Sequence, residues 1–377
     1  MKCRISRQCG GCQYIQDDYA DTLKKKYQTC QQLYKNFDIH LHPVVRMDHP
    51  YEYRNKVIVA FNSKYEYGLY EEQSHRIIPI QQCPLHDQET HHILQQIQRL
   101  LKKYHVSIYD FKRNKGFLRH VLVRRAVQTH QTLVTLVVNG DMMRGSKNFC
   151  NDLVKQCPTV KSIVLNINKR QTSVVLSKNE KVLYGKGFIV DELCGLTFKI
   201  SSQSFYQINH EQCVKLYQKV IDLCSLHKYD VVLDTYCGIG TIGMTIASHV
   251  QQVIGVELNK EAYKDALNNA KMNHIDNIYF YNQDATEFMQ TVSSENKQID
   301  CVILDPPRAG TTKEFIKAIQ FLKPQSVIYV SCDPHTQVRD LKEFQKIGYD
   351  FENVYLYDMF PFTEHVESVV LLTKTHK

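Results

Sequence analysis

The fold is decided by the stretch VVLDTYCGIGTIG, Val231 to Gly243, in which an apolar run leads into a glycine-rich turn and a second apolar segment. Such a run is typical of a strand that is buried on both faces of a sheet. Gly238 and Gly240 allow the chain to turn sharply, and they let the backbone come close to a bound ligand. The stretch therefore predicts a strand, a tight turn and the start of a helix, with a ligand beside the turn.

The chain after this stretch repeats the pattern of strand and helix. Asn259 is the expected cap of one helix, and Thr311 with Glu314 forms a capping box at the start of another. Strands that alternate with helices predict an α/β fold with a doubly wound parallel sheet, which binds ligands at the carboxyl ends of its strands. The further predicted strands are VIGVEL, IYFYNQDA, CVILDPP and SVIYVSC.

The chain before this stretch is rich in β-strand patterns and has few helical interruptions. We expect a separate mixed or mostly β region between about Tyr51 and Ser201, since short β-branched runs without long helical patterns favour antiparallel strands. The predicted strands of this region are KVIVAF, HVLVRRAV, TLVTLVV, SIVLNI and TSVVLS.

Composition limits the class of protein. The 377 residues are 43% hydrophobic and 23% charged, which is ordinary for a folded protein of two or three domains and excludes fibrous or disordered classes. Neither a membrane-spanning run nor the apolar middle of a secretory signal is visible, so we expect a cytoplasmic protein without a membrane partner. The net charge of +8 favours an acidic partner such as nucleic acid.

Cysteine usage indicates metal ligands or reactive thiols. The chain has thirteen cysteines, an odd number that does not suit a complete set of disulfides. Cys3, Cys9 and Cys12 lie within the first dozen residues, and two glycines between the last two allow a tight wrap. A fourth sulfur would complete a zinc site or an iron-sulfur cluster, and Cys83 is the best candidate because a proline follows it.

The glycine-rich turn is compatible with two nucleotide cofactors. Glu257 ends the next predicted strand, where a carboxylate can accept hydrogen bonds from both hydroxyls of a ribose. Gly238, Gly240 and Gly243 fit the pattern GxGxxG, which is typical of nicotinamide-dependent dehydrogenases. Enzymes that use S-adenosylmethionine have the same kind of turn and acid, so the turn alone leaves both cofactors open.

Three reactive side chains follow or begin strands at the same predicted edge. Asp305 opens the DPPRAG segment and can accept a hydrogen bond from a base imide or a cofactor amine. Cys332, in VSCDPHT, ends the fifth strand, and Glu367 begins the last one. A thiolate that adds to C6 of uracil makes C5 able to attack a methyl sulfonium, and a base must then remove the C5 proton. Cys332 and Glu367 are the candidates for these two roles.

Together these motifs resemble the bacterial RNA (uracil-5)-methyltransferases, and they are most similar to the 23S ribosomal RNA enzymes that carry a [4Fe-4S] cluster. The resemblance extends from Cys3 to Ser368. It rests on CxxxxxCGGC with a distant CPL, SFYQIN, DTYCGIG, DPPRAG, YVSCDP and HVES. It implies cluster ligands at Cys3, Cys9, Cys12 and Cys83, a nucleophile at Cys332, a base at Glu367, and cofactor or uracil contacts from Gln207, Tyr236, Gly238, Gly240, Glu257 and Asp305.

The resemblance also implies a domain plan and a substrate. We expect a cluster region at 1–50 with 75–95, a central β-rich RNA-binding domain at 51–205, and a Rossmann-like domain that binds S-adenosyl-L-methionine at 206–377. The tRNA branch of the family lacks the cysteine cluster, so we expect 23S ribosomal RNA as the partner, without an obligate protein partner. The alternatives are 5-methyluridine formation in tRNA, a nicotinamide-dependent iron-sulfur oxidoreductase, and an RNA-binding protein without activity.

One segment alternates basic and aromatic residues in a way that suits RNA. Lysine and arginine bind phosphates, and aromatic rings stack on unpaired bases. Arg54 and Lys56 are expected to extend this surface. The segment contains Lys102, Lys103, Tyr104, Tyr109, Phe111, Lys112, Arg113, Lys115, Phe117, Arg119, Arg124 and Arg125.

Overall fold

A computed structural model of the protein describes residues 3–71, 74–224, 227–295 and 298–375. Within these ranges, no helix is both long enough and apolar enough to cross a membrane. The helices are α1 (Tyr19–Tyr34), α2 (Gln88–Lys103), α3 (Ser146–Gln156), α4 (His210–Cys224), α5 (Thr241–Ile246), α6 (Lys260–Met272), α7 (Ala285–Ser294), α8 (Lys313–Leu322) and α9 (Pro334–Lys346). The strands are β1 (His40–Val45), β2 (Lys56–Phe61), β3 (Tyr67–Tyr70), β4 (Ile77–Pro79), β5 (Leu118–Arg125), β6 (Thr132–Val138), β7 (Val160–Ile167), β8 (Glu180–Gly185), β9 (Phe188–Leu193), β10 (Leu196–Ser201), β11 (Val231–Thr235), β12 (Gln252–Val256), β13 (Ile278–Tyr281), β14 (Cys301–Leu304), β15 (Ser326–Ser331), β16 (Tyr349–Asp350), β17 (Asn353–Tyr357) and β18 (Glu367–Lys374).

The C-terminal half forms the predicted sheet with helices on both faces. Strand order is β1-β17-β18-β15-β14-β11-β12-β13, with β16 beside β18. Strands β11 to β15 run parallel, whereas β18 is antiparallel to β15, β16 and β17. Successive strand residues point to opposite faces, so Val232 packs into one apolar core and Leu233 into the other. The five strands predicted from apolar runs are confirmed, and the sheet as a whole is mixed.

Helix caps in this half agree with the prediction at one position and differ at another. The side chain of Asn259 accepts hydrogen bonds from the first turn of α6, as predicted. The cap of α8 is Thr312, whose Oγ1 accepts from the amide of Phe315 at 3.0 Å. The prediction of Thr311 was therefore wrong by one residue. The hydroxyl of Thr311 lies instead 3.4 Å from the hydroxyl of Tyr236.

The amino-terminal segment also belongs to this sheet. Strand β1 pairs in parallel with β17, and helix α1 packs against α9. Lys26 of α1 forms a buried ion pair with Asp358, just after β17. Helix α1 and strand β1 therefore pack on the C-terminal sheet. The grouping of residues 1–50 with 75–95 in one region stays a prediction.

The central region forms a second sheet of order β4-β3-β2-β5-β6-β7-β8, with α2 and α3 packed on one face. The predicted strands are confirmed except TSVVLS, which is not a strand. The side-chain amide of Asn168 donates to the backbone carbonyls of Val174 at 2.8 Å and Val175 at 2.9 Å. Side chains therefore bind the backbone groups that a neighbouring strand would otherwise have paired.

The hairpin of β9 and β10 connects the two halves. Its inner residues Ile189 and Phe198 lie in the same apolar core as α4 and α6. The amide of Lys199 donates to Asn269 Oδ1 at 2.8 Å, which attaches the hairpin to α6. This hairpin, predicted to be part of the central region, packs in the structure against the C-terminal domain.

Candidate active site

The predicted site residues of the C-terminal half lie at the carboxyl edge of the sheet. Glu257 follows β12, Asp305 follows β14 and Cys332 follows β15. These three strands run parallel, so the residues after them reach the same edge. The structure therefore brings together the three side chains that the motifs predicted separately.

Glu367 reaches this edge from the opposite direction. It is the first residue of β18, which is antiparallel to β15, and Ser331 pairs with Ser368. Cys332 comes directly after Ser331 and Glu367 directly before Ser368, and the charge of Glu367 raises the pKa of Cys332, so the two side chains are close. The side chain of Glu367 is buried, whereas Cys332 remains half-buried.

Exposure separates Cys332 from the packing cysteines. Seven of the thirteen cysteines are buried. A thiol must be reachable to act as a nucleophile or ligand, so the remaining six are the candidates for chemistry. These six are Cys3, Cys9, Cys12, Cys83, Cys194 and Cys332. Five of them are the residues that the sequence singled out.

The glycine-rich turn leaves room for a ligand. Tyr236, Gly238 and Gly240 all have left-handed backbone angles, with φ of 61°, 58° and 83°. A Cβ added at Gly238 would meet no atom within 4 Å, whereas one at Gly240 would lie 2.5 Å from Met244. Gly240 is therefore required by packing, and Gly238 borders open space beside the turn.

Two carboxylates shape this turn. Glu257 accepts hydrogen bonds from the amide of Gly238 at 2.9 Å and from the amide of Asn259 at 2.6 Å. Asp234 accepts from the amide of Gly243 at 2.8 Å. Burial raises the pKa of Asp234 to about 8, so this carboxyl group braces the helix start within the core. Glu257 is less buried and is the acid that lies next to the open space.

Burial and like charge disfavour ionisation at the reacting edge. The pKa of Cys332 is raised to about 11, chiefly by burial and then by the charges of Glu367 and Asp305, while Arg308 partly opposes the increase. The pKa of Glu367 is raised by burial and then by Asp305, whereas Arg308 lowers it. Burial also raises the pKa of Asp305. A thiol and two carboxyl groups therefore share one site, with Arg308 as the opposing cation.

Arg308 and His365 were not predicted as site residues. Nη2 of Arg308 lies 3.0 Å from Nε2 of His365. Burial and Arg308 lower the pKa of His365, so its neutral ring can accept this hydrogen bond. Arg308 lies in the DPPRAG motif and His365 in the HVES motif. Their position within these two motifs was the sequence signal that could have identified them.

Alkylation of Cys332 should depend on pH and on Glu367. Iodoacetamide reacts with the thiolate, so the rate should keep rising above about pH 9, where an ordinary thiol has largely ionised. Glu367→Gln should increase the rate between about pH 9 and 10, because it removes a nearby negative charge. Mass spectrometry of the Cys332 peptide gives the rate. The control is Glu364→Gln, which changes an exposed carboxylate three residues before Glu367. An identical pH profile in Glu367→Gln would contradict the assigned contact.

The other two predicted contact residues lie near this edge and at the domain junction. Tyr236 is half-buried, with its hydroxyl 3.4 Å from Thr311 Oγ1. Gln207 is buried, and its carbonyl accepts a hydrogen bond from Asn55 at 2.8 Å. Their contacts to a cofactor or to uracil stay predictions.

A second site surrounds the predicted cluster ligands. Cys3, Cys9, Cys12 and Cys83 line one cavity together with Arg54. The pKa of Cys12 is raised to about 12, chiefly by burial; Arg54 opposes the increase, and the other three thiols contribute to it. The four sulfur atoms are therefore close enough to interact electrostatically.

The structure does not identify a metal at this cavity. In the described ranges, no group of three or more histidine, cysteine, aspartate or glutamate side chains is arranged to hold a metal ion. The ligand role of the four cysteines therefore stays a prediction.

The predicted RNA-binding segment is only partly available to a partner. Arg119 and Arg124 are buried, and Arg125 pairs with Asp87 at 2.7 Å. Arg54 lines the cysteine cavity. The expectation that Arg119 and Arg124 contact phosphates was therefore wrong, because both side chains are buried. For Arg54 and Arg125, which are half-buried, the RNA contact stays a prediction. The exposed cations of the segment are Lys102, Lys103, Lys112, Arg113 and Lys115.

Comparison with known sequences identifies the family. The model of the tRNA (Uracil-5-)-methyltransferase family matches residues 18–375. An uncharacterized RNA methyltransferase of Halalkalibacterium halodurans is 36% identical over 378 residues, which cover 98% of this chain and 82% of the relative. An uncharacterized RNA methyltransferase of Staphylococcus aureus strain MSSA476 is 38% identical over 377 residues, which cover 98% of this chain and 83% of the relative.

Comparison with solved structures supports the same relationship. The fold is similar to the crystal structure of Pyrococcus abyssi tRNA (uracil-54, C5)-methyltransferase in complex with S-adenosyl-L-homocysteine, with a TM-score of 0.82 and 28% identity. The match covers 98% of this chain and 87% of the Pyrococcus chain. The chain is therefore an RNA methyltransferase, and it belongs to the tRNA (uracil-5-)-methyltransferase family.

Proposed function

We propose that the protein transfers the methyl group of S-adenosyl-L-methionine to C5 of a uridine in 23S ribosomal RNA. The observation that carries this proposal is the placement of Cys332 beside Glu367 at the carboxyl edge of the sheet that bears the glycine-rich turn. A thiol and a carboxyl group in register are the two groups that methylation at C5 of uracil needs. Membership in a methyltransferase family gives no support to the nicotinamide-dependent alternative.

The chain would supply both the nucleophile and the base. The thiolate of Cys332 adds to C6 of uracil, and the electron pair of the C5–C6 double bond moves to C5. S-adenosyl-L-methionine supplies an electrophilic methyl group on a sulfonium. Glu367 then takes the proton from C5, the double bond forms again, and the bond between C6 and sulfur breaks. C5 takes the methyl group, and the electron pair of the broken carbon-sulfur bond stays on the sulfur of S-adenosyl-L-homocysteine. The proton taken by Glu367 carries the positive charge that the sulfonium loses, and the thiolate is regenerated, so atoms and charge balance.

The electrostatics of the site favour the last step, the removal of the C5 proton. Burial and Asp305 raise the pKa of Glu367, which makes the group a better proton acceptor than an exposed carboxylate. Arg308 opposes the negative charge on both Cys332 and Glu367. Asp305 is half-buried and can accept a hydrogen bond from the uracil imide. Because the C6 of a stacked uridine is unreachable, the target base must leave its stack at a cost of a few kcal/mol.

The turn between β11 and α5 fits the proposed methyl donor. Open space borders Gly238, and the carboxylate of Glu257 is held at that border by two backbone amides. This acid is the candidate for the ribose hydroxyls, and Tyr236 is the candidate for the remaining contacts of the nucleoside. Gly240 adopts the left-handed backbone conformation, with φ of 83°, that the turn requires.

The cysteine cavity fits a [4Fe-4S] cluster by its donor set. Cys3, Cys9, Cys12 and Cys83 supply four thiols, the number that such a cluster takes. Nε of Arg54, which lines the same cavity, is buried and has no hydrogen-bond partner among the described residues. A cluster with negatively charged thiolates would give this cation a counter-charge.

Iron content tests the cluster. Protein purified without oxygen should be brown and contain about four iron atoms per chain, and Cys12→Ser should lower that content. The matched control is Cys194→Ser, which changes a half-exposed cysteine outside the cavity. Elemental analysis and absorbance before and after exposure to air provide the measurement. Zinc without iron would contradict the cluster and leave the methylation proposal intact.

The RNA substrate has two candidates. The four cysteines favour ribosomal RNA, since the branch of the family that acts on tRNA lacks them. Transfer RNA is favoured by the similarity to the Pyrococcus abyssi enzyme, which acts on uracil 54 of tRNA.

Mapping 5-methyluridine in a strain that lacks this gene tests the function. We expect one mark to disappear from 23S ribosomal RNA and to return when the purified protein is incubated with that RNA and S-adenosyl-L-methionine. Loss of a mark from tRNA would replace ribosomal RNA by the second candidate. If all 5-methyluridine remained in place, and the purified protein transferred no methyl group to either RNA, the proposed reaction would be wrong.

A further inference from the structure

Side chains of helix α1 hold the segment that leads to the proposed base, Glu367. Residues 358–366 connect β17 to β18 and end directly before Glu367; we call them the base loop. The position of the base loop determines where β18 begins, and therefore where the carboxyl group of Glu367 lies.

Lys26 contacts the base loop at three points. Its side chain is completely buried, and its Nζ donates to Asp358 Oδ1 at 2.5 Å, to the carbonyl of Phe360 at 3.0 Å and to the carbonyl of His365 at 2.8 Å. An ammonium group has three N–H donors, so all of them are used. One side chain of α1 therefore joins the start of the base loop to its end.

Further contacts from the amino-terminal segment support this arrangement. The hydroxyl of Tyr19 donates to the second carboxylate oxygen of Asp358 at 2.7 Å. The amide of Tyr14 donates to the carbonyl of Phe362 at 2.9 Å, and the rings of Tyr19 and Phe362 lie 5.5 Å apart. Residues that are remote in sequence therefore fix the base loop along its length.

The contact with His365 is the one that reaches the reacting groups. Lys26 binds the carbonyl of His365, whose ring contacts Arg308, and Glu367 lies two positions further along the chain. A displacement of this carbonyl would move the carboxyl group of Glu367 and the guanidinium of Arg308 together. Misplacing a catalytic group by about 1 Å can cost roughly 100-fold in rate.

Stability alone does not explain a buried ion pair at this position. Replacing such a pair by apolar side chains of similar volume is often neutral or stabilising, because both charges lose their hydration on burial. We propose that Lys26 is a positioning residue for Glu367, acting through the base loop. This inference rests on the proposed covalent mechanism, in which Glu367 acts after the methyl group has been transferred.

Lys26→Met tests the inference. We expect about 10- to 100-fold lower turnover, little change in KM for RNA, and an accumulation of covalent protein-RNA adduct, because addition of Cys332 would continue while proton removal slows. A purely structural lysine would lower turnover in proportion to folded protein and leave the adduct at its wild-type level. Lys24→Met, which removes an exposed lysine of the same helix, is the control and should match the wild type.

Other outcomes separate this inference from the mechanism on which it rests. Wild-type turnover in folded Lys26→Met, or reduced turnover without adduct, would overturn the positioning role. If Glu367→Gln gave no adduct either, the covalent mechanism itself would be wrong. If Lys26→Met does not fold, Asp358→Asn is the second variant, because it keeps the shape of the pair. Its turnover and its amount of adduct then decide whether the pair positions Glu367. The pair variant Lys26→Met with Asp358→Leu should restore stability without restoring turnover.

Discussion

Replacing Cys332 by alanine should reduce methyl transfer by at least about 10⁴-fold, since loss of a covalent nucleophile removes the reaction path itself. The thiol lies at the carboxyl edge of the sheet beside Glu367, and it keeps enough exposure to reach a base. Transfer of a labelled methyl group from S-adenosyl-L-methionine to RNA gives the rate. Binding of S-adenosyl-L-homocysteine, measured by calorimetry, should be unchanged, which would show that the fold is intact.

The matched control for this variant is Cys194→Ala. Cys194 is also half-exposed, and it lies in the turn between β9 and β10, not at the strand ends that carry Cys332 and Glu367. Its replacement should leave the rate within about twofold of the wild type, as for most surface changes. A wild-type rate in Cys332→Ala would refute covalent catalysis by this thiol.

Glu367→Gln should trap a covalent complex between the protein and methylated RNA. A glutamine side chain cannot accept the C5 proton, so the adduct of Cys332 can form and accept the methyl group but cannot release its product. A denaturing gel should show a band of reduced mobility that carries both the RNA and the labelled methyl group. Turnover should fall by roughly 10²- to 10⁴-fold.

Two variants define what the trapped band means. Glu364→Gln changes an exposed carboxylate of the base loop and should turn over normally, without a band. Cys332→Ala combined with Glu367→Gln should give no band, because the thiol that forms the bond is absent. A band that survives in this double variant would point to another nucleophile.

Much of the C-terminal fold was predictable because its strands are short apolar runs between helical patterns. All five parallel strands were found in this way, and the motifs at their ends were found with them. TSVVLS shows the limit of the approach, since its composition is that of a strand but the side chains of Asn166 and Asn168 bind its backbone. Such side-chain contacts cannot be read from local composition.

The reacting pair was predictable from motifs, whereas its support was not. Cys332 and Glu367 each carry a local signal, a strand end followed or preceded by a recognisable motif. Lys26 and Asp358 are 332 positions apart, and neither lies in a pattern that differs from an ordinary helix or strand end. Charge also misled the prediction at Arg119 and Arg124, because a sequence shows the charge of a side chain but not the burial that removes it from a partner.

The pairing of β1 with β17 has a consequence for biosynthesis. His40 aligns with Asn353, so the edge strand β1 must wait for a partner that the ribosome makes about 300 residues later. At about 5–20 residues per second, the ribosome would hold this edge unpaired for tens of seconds. Nascent chains stalled before β17 would therefore expose both β1 and the apolar face of α1, and they would be the natural clients of chaperones.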